Sequence, residues 1–404
     1  MKKLKIVIAS RSTIFHQGSG GMETHLTNLA EGLVKSGHEV RVVTTSHPEG
    51  GKKLVEKGVI YFFLFGTQEG KYSEGYFRES ANFIHKLVET TECEIVLGES
   101  IGASGFAKMN NRTVPVIEIA HGSLRSEVLT VFGNSTSLKA LISFGLKTLP
   151  YAGLNFINDL VVTHKDDMII CVSEKVAVEV TRDSWLNKSK VRVVHNGVDE
   201  QKFKKSGSER ERLRKKLNLT DENVLLGSLG RLIQAKGYQD VIKVLPILPK
   251  NVHYLLVGEG DYQETLKEMV KEYGLHDRVH FAGALNYDET PNYYSAMDVF
   301  MFPTRRREGF PMTLVEAQMC SLPVIAADKG GVSEAIDRNI TGLIYPSGNL
   351  NELKRAIQQM LENQAMNEMA DKAAQWGREN FTTDIMVEKT LKVISEAIEN
   401  YEIK

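Results

Sequence analysis

The sequence predicts an α/β protein with two doubly wound, parallel-sheet domains, one in each half of the chain. Three observations carry that prediction. Short apolar runs of strand length alternate with longer helical patterns from one end to the other. The alternation breaks once, over a turn-rich, charged stretch from Asn196-Gly197-Val198-Asp199 to Arg214, and then restarts. The residues best suited to chemistry stand directly after strand-length runs, and open parallel sheets bind ligands at the carboxyl ends of their strands.

Taken in order, Leu4–Ala9 reads as the first strand, followed by a Gly-rich turn and a helix from about Met22 to Lys35. Gly37 suits the position just past that helix, and Glu39–Thr44 is the next strand. Similar units follow at Ile60–Phe65, Glu94–Leu97, Val114–Ala120 and Met168–Val172. Past the break, strands are expected at Val224–Leu229, His253–Val257, Arg278–Phe281, Asp298–Phe302, Val324–Ala326 and Gly342–Tyr345. Lys204–Arg214 contains little to bury, so the join is placed near residue 200, between domains 1–200 and 201–380 that face across a cleft.

Composition narrows the function. The 404 residues carry 50 basic and 51 acidic side chains, a net charge of −1 that gives no support to whole-surface nucleic-acid binding. Cys93, Cys171 and Cys320 are far apart and form no Cys-x-x-Cys pair, which argues against zinc and for a reducing compartment. The longest apolar run, Val59–Phe65, is seven residues and too short to span a bilayer. The reading is a cytoplasmic protein that binds no metal, with peripheral contact at the inner membrane face as the alternative.

Five motifs bear on chemistry. Gly18-Ser19-Gly20-Gly21-Met22-Glu23 separates the first strand from the first helix, where glycines let backbone N–H groups approach an anion. It lacks the Gly-Lys-Ser/Thr of a Walker loop. Gly230-Arg231 follows the strand Val224–Leu229, and Lys236-Gly237 opens a helix; two cations at such a turn suit a diphosphate. Glu308-Gly309-Phe310-Pro311-Met312-Thr313-Leu314-Val315-Glu316-Ala317 follows Asp298–Phe302 and carries the most information. A helix starting near Pro311 leaves the N–H groups of Met312, Thr313 and Leu314 to bind phosphate, with Glu308 and Glu316 on either side as acceptors for sugar and ribose hydroxyls. Gly330-Gly331-Val332-Ser333-Glu334 reads equally well as a tight turn or as part of the site. His121-Gly122 ends the strand Val116–Ala120, a placement that makes a functional reading as good as that of a lone structural histidine, whereas His25 on the first helix could simply cover the sheet.

Together these residues resemble the retaining glycosyltransferases of GT-B fold with a Glu-x7-Glu signature. Gly-Gly near residue 20, Asn-Gly-Val-Asp at 196–199, Gly-Arg and Lys-Gly at 230–237, Val-Gly-Glu-Gly at 257–260, Glu-Gly-Phe to Glu-Ala at 308–317, and Pro-Val-Ile-Ala through Gly-Gly to Glu at 323–334 occur in the family's order. The resemblance implies that Arg231 and Lys236 neutralise a leaving diphosphate, Met312–Leu314 hold its oxygens and Glu316 binds the ribose. Glu308 would grip the transferred sugar, His121 would approach it from the N-terminal domain, and Gly21 would lie near the distal phosphate. Gly20, Gly230 and Phe310 complete the implied donor-binding set. A final helix, about Asp384–Tyr401 within a segment 381–404, would cross back onto the first domain.

The implied substrates are a nucleotide diphosphate sugar, UDP before GDP, and a carbohydrate or lipid-linked acceptor, with no further cofactor. Transferases that hold a metal often use Asp-x-Asp, and the sequence contains none. Arg305-Arg306-Arg307 departs from the family loop, either as solvated charge or as a contact for an anionic group, and Ser321 replaces a frequent glycine with little expected effect. Leu138–Lys147, inside a long segment 123–165, has an amphipathic pattern that reads as a helical cover or, alternatively, as an acceptor-binding or membrane-surface helix. Two other readings stay open: a nucleotide-sugar 2-epimerase and a catalytically silent binding subunit.

Overall fold

A computed structural model describes residues 2–16, 20–123, 164–362 and 366–403. The amphipathic stretch 138–147 lies outside them, as do Gly18 and Ser19. The described residues divide into two compact units, one holding those up to Gly197 and from Thr383 onward, the other those of Val198–Thr382.

The first unit runs β1 (Lys5–Ala9), α1 (Gly21–Lys35), β2 (Glu39–Thr44), β3 (Lys53–Glu56), β4 (Val59–Phe63), α2 (Glu74–Thr91) and β5 (Ile95–Glu99). It continues with α3 (Ser104–Ala107), β6 (Val116–Ala120), β7 (Met168–Cys171), α4 (Glu174–Asp183) and β8 (Val191–Val193). The sheet order is β3-β4-β2-β1-β5-β6-β7-β8, parallel except for the β3–β4 pair. Ile6–Ala9 and Ile95–Glu99 are buried on both faces, which is why these strands read as unbroken apolar runs. Gly37 does close α1: its N–H donates to Val34 O and that of His38 to Leu33 O, a Schellman arrangement.

The second unit runs α5 (Gly207–Lys216), β9 (Val224–Leu229), α6 (Tyr238–Val244), β10 (Val252–Val257), α7 (Gln263–Glu272), β11 (Val279–Gly283) and α8 (Thr290–Ala296). It ends with β12 (Val299–Phe302), α9 (Met312–Met319), β13 (Val324–Asp328), β14 (Gly342–Pro346), α10 (Leu350–Glu362) and α11 (Met366–Asn380). The all-parallel sheet has the order β11-β10-β9-β12-β13-β14, the doubly wound dinucleotide-fold arrangement with its switch point between β9 and β12. Leu226, Val241, Ile242, Tyr254, Leu256, Ile325 and Ile357 belong to its core. The last helix, α12 (Thr383–Glu402), returns to the first unit and packs on α1.

Three features differ from the sequence reading. β3 was not expected, because Lys53–Glu56 is largely exposed and carries little apolar pattern. Its signal lay in the turn, where Lys57 and Gly58 both take positive φ (45° and 82°), the conformation of a tight antiparallel hairpin. β8 is only three residues long. The supposed join Lys204–Arg214 contains most of helix α5, which buries Leu213 and threads Arg214 inward to Asp298 at 3.0 Å.

Candidate active site

β9 and β12 are parallel neighbours, so the loops leaving their carboxyl ends emerge side by side. The first carries Gly230, Arg231 and Lys236; the second carries Thr304 to Pro311 and leads into α9. Backbone bonds stitch them together: Arg305 N–H and Arg306 N–H both donate to Ala235 O, at 2.9 and 3.1 Å. Gly237 permits this approach. Its φ is +77°, and a Cβ there would fall 1.9 Å from Pro303 O.

Lys236 and Glu308 meet at the centre, Nζ to Oε1 at 2.9 Å, and Thr304 Oγ1 donates to the same oxygen at 3.0 Å. Glu308 Oε2 makes no hydrogen bond among the described residues and remains available as an acceptor. Burial pushes the Glu308 carboxyl up, but the charges of Lys236 and Arg306 and the bonds from Lys236 and Thr304 outweigh it and hold the group below its ordinary value. Glu308 is therefore an ionised acceptor at neutral pH. Its backbone is fixed from the next strand: Gly331 N–H donates to Glu308 O at 2.8 Å, and a Cβ on Gly330 (φ +68°) would meet that oxygen at 2.3 Å. The Gly330-Gly331 turn thus shapes the Glu308 loop.

Helix α9 starts at Met312 with Pro311 as its cap. Leu314 N–H already donates to Pro311 O at 3.2 Å, so the expected set of three free donors reduces to Met312 and Thr313. Phe310 spends its ring on packing, 5.1 Å from Phe381. Glu316 is buried one turn into the helix, where Tyr287 OH donates to Oε1 at 3.0 Å and Tyr294 OH to Oε2 at 2.8 Å. Burial raises its carboxyl above the ordinary value against the pull of Tyr294, Tyr287 and Lys202. Lys202 Nζ also lies 3.6 Å from the centre of the Tyr287 ring. No local spacing announces these tyrosines, which stand 29 and 22 residues before Glu316.

The three consecutive arginines differ from one another. Arg305 is neither solvated nor free for a ligand, because it forks onto buried Asp240 through Nε at 2.9 Å and Nη2 at 2.5 Å. Arg306 Nε lies 3.8 Å from Glu308 Oε1, while Arg307 is exposed. Arg231 is exposed, and its side chain forms no ion pair or hydrogen bond among the described residues.

In the first unit, Gly20 precedes α1, and its N–H donates to Glu23 Oε2 at 2.8 Å, while Ser12 Oγ donates to Oε1. Gly21 has no atom within 4 Å of where a Cβ would stand, and neither glycine has a positive φ. Nothing among the described residues therefore demands glycine at 21. His121 donates or accepts through Nε2 at Glu99 Oε2, 2.5 Å away, and Glu99 Oε1 pairs with His25 Nδ1 at 3.0 Å. The ligand atoms of these three residues lie within 4.8 Å of one another, a set that could hold a metal ion and that sequence spacing did not reveal.

Comparison with known proteins decides the family. The family described as Glycosyl transferases group 1 matches residues 209–378, and Glycosyltransferase Family 4 matches residues 19–202. The chain is a group 1 glycosyltransferase of GT-B fold. An uncharacterized glycosyltransferase of Methanocaldococcus jannaschii is 24% identical over 392 residues, 94% of this chain and 95% of that protein. The N-acetyl-alpha-D-glucosaminyl L-malate synthase of Bacillus anthracis is 24% identical over 402 residues, 95% of each. A GDP-mannose-dependent alpha-(1-6)-phosphatidylinositol monomannoside mannosyltransferase of Mycobacterium tuberculosis is 32% identical over 174 residues, 41% of this chain and 45% of that one.

Among solved structures, sucrose-phosphate synthase from Thermosynechococcus elongatus superposes with a TM-score of 0.82 at 19% identity, covering 98% of this chain and 100% of that one. HepE of Anabaena in complex with UDP gives 0.77 at 21%, with the same coverage. Glycosyltransferases of this group use nucleotide-sugar donors. No helix among the described residues is long and apolar enough to cross a membrane.

Proposed function

We propose that this glycosyltransferase moves a hexose-type sugar, with retention of configuration, from a nucleoside diphosphate sugar to a carbohydrate or lipid-linked acceptor. One observation carries the proposal: partly buried Glu308, on the loop after β12 and paired with Lys236 from the loop after β9, keeps an unused oxygen just before the α9 N-terminus, and buried Glu316 stands one turn into that helix. Glu316 accepts the ribose hydroxyls and Glu308 Oε2 a sugar hydroxyl. Met312 and Thr313 N–H groups, Arg231 and Lys236 take the diphosphate, and His121 meets a substrate hydroxyl. Cleavage of the sugar–phosphate bond leaves positive charge on the ring and negative charge on the diphosphate, which preorganised cations and a helix N-terminus stabilise. These groups suffice without a metal ion, so turnover is expected to survive chelation with EDTA.

UDP is the first donor nucleotide we assign. GDP is the second, favoured by the stretch shared with the mannosyltransferases named GDP-mannose-dependent. Thermal shift with UDP, GDP and ADP, for wild type beside Glu316→Ala and Arg231→Ala, tests the site. Selective stabilisation by one nucleotide, weakened in both variants, is the expected result. No shift with any nucleotide would sink the donor assignment. Isomerised donor formed without acceptor would mark an epimerase, and binding without turnover a silent subunit.

A further inference from the structure

Three titratable side chains of the first unit pack against one another, buried His25 and Glu99 and half-buried His121, and the proposed reaction uses only His121. His25 stands on α1, Glu99 ends β5 and His121 follows β6, the strand that pairs with β5. Glu99 is fully buried, and each of its oxygens faces one imidazole nitrogen: His25 Nδ1 at 3.0 Å and His121 Nε2 at 2.5 Å. The two rings pack edge to face with centroids 4.9 Å apart. Among the described residues the other polar neighbours do not reach the carboxylate: Tyr72 OH donates to the Glu99 backbone O, with Arg11 over the Tyr72 ring, and Ser100 Oγ points to Met22 Sδ.

An ionised carboxylate only accepts hydrogen bonds, so a neutral imidazole facing it must carry its proton on the facing nitrogen. Burial alone would push the Glu99 carboxyl up, but the charges and hydrogen bonds of His25 and His121 hold it down to about 2, so it stays ionised. Two ligands of one tetrahedral ion, each about 2.0–2.1 Å from it, would stand roughly 3.3 Å apart. The 2.5 Å separation of His121 Nε2 from Glu99 is instead that of a direct hydrogen bond. His121 makes no other hydrogen bond among the described residues, and its side chain keeps 19% of its surface exposed.

We propose that Glu99, braced by His25, is a positioning residue that locks His121 in the Nε2–H form and turns its Nδ1 lone pair outward as an acceptor for a substrate hydroxyl. The last part rests on the reading of His121 given under the proposed function; the lock itself does not. Nitrogen-15 NMR of histidine-labelled protein at pH 8 tests the lock, with His25→Asn and His121→Asn identifying the signals. The expected spectrum shows neutral His121 protonated at Nε2 and neutral His25 at Nδ1. A His121 protonated at Nδ1 would overturn the proposal in wild-type protein alone, whether or not any Glu99 variant folds.

In Glu99→Gln the amide offers one acceptor and one donor, so one ring must change tautomer; an unchanged spectrum contradicts the lock. A metal ion that purifies stoichiometrically with the protein and is lost in His25→Asn would also overturn it. For the substrate half, Glu99→Gln and His121→Asn are each expected to lower kcat at least tenfold, with UDP affinity within twofold of wild type. Rescue is expected from Glu99→Asp wherever its spectrum shows the wild-type tautomers. Full turnover in His121→Asn removes the substrate half and leaves the donor site standing; loss of nucleotide binding with the tautomers intact does the reverse.

Discussion

Ser321 ends α9 with a φ of +56°, in the left-handed region that a side chain disfavours. Its N–H donates to Gln318 O and that of Leu322 to Ala317 O, a Schellman closure at the position where glycine is usual. The replacement therefore matters more than its sequence context suggested. Ser321→Gly is expected to stabilise the protein by roughly 1 kcal/mol, seen as a higher melting temperature; an unchanged or lower one would contradict the strain. Glu316 carries a cost of another kind. Its carboxyl is raised by burial, so its contribution is full below the ordinary value of 4.5 and is lost as pH rises through the folded value. At neutral pH a buried charge remains that a glutamine would not have. Glu316→Gln is expected to match or exceed wild type in thermal stability while nucleotide affinity falls about tenfold or more, since a hydrogen bond to a charged group is worth roughly 1.5–3 kcal/mol. A variant that loses both together would mark Glu316 as structural.

Helices in this chain are held by single side chains that their own periodicity does not announce. A Cβ on Gly32 of α1 would stand 2.6 Å from Val387 Cγ2 and 2.9 Å from Thr383 Cγ2 of α12, so the two helices touch where α1 has no side chain. Gly32→Leu is expected to displace α12 and cost roughly 1–3 kcal/mol, with limited proteolysis releasing the C-terminal segment sooner; resistance equal to wild type would refute this. Helix α5 is tied down by charge instead. Arg214 reaches Asp298 at 3.0 Å and the carbonyls of Ala296, Thr220 and Asn223, while Arg210 takes the other Asp298 oxygen at 2.6 Å. Arg214→Met keeps much of the volume but takes one of two arginines from the partly buried Asp298 carboxylate, which keeps Arg210 and Leu225 N–H, and leaves three carbonyls without that donor, so a loss of roughly 3 kcal/mol is expected in denaturant titration. The stretch looked like a linker because one of its two buried residues is an arginine, whose partner lies 84 residues away.

Across the whole molecule, buried carboxylates set opposing slopes of stability with pH. Glu99 falls from an ordinary 4.5 to about 2, so its contribution is present above 4.5 and is lost as pH drops toward 2. Asp166, in the same unit, moves the other way. Burial raises it to about 7, against a shared hydrogen bond with Glu118, so its contribution is full below its ordinary 3.8 and is lost as pH rises to 7. Asp166→Asn is therefore expected to stabilise at pH 8 and to change little at pH 4, whereas Glu99→Gln removes roughly 3 kcal/mol of acid sensitivity between pH 4.5 and 2. Denaturant midpoints at pH 8, 4 and 2 check both, and equal shifts at every pH would contradict the assignments.

What the sequence determined by itself was local. Val224–Leu229 and Glu39–Thr44 are legible to the residue because apolar-rich runs of strand length stand between turn signals. Glu308, Lys236 and Glu316 are legible because a glycine or proline turn after a strand places them at its carboxyl end. Tertiary structure alone decided what each charge meets. Glu308 takes Lys236 from 72 residues away, Glu316 takes two tyrosines, Arg305 is withdrawn onto Asp240, and Glu99 stands between two histidines 74 and 22 residues distant. The reason is physical: backbone geometry and burial of one's own segment are written within a few residues, while a buried polar group is satisfied by whatever the folded chain brings to it.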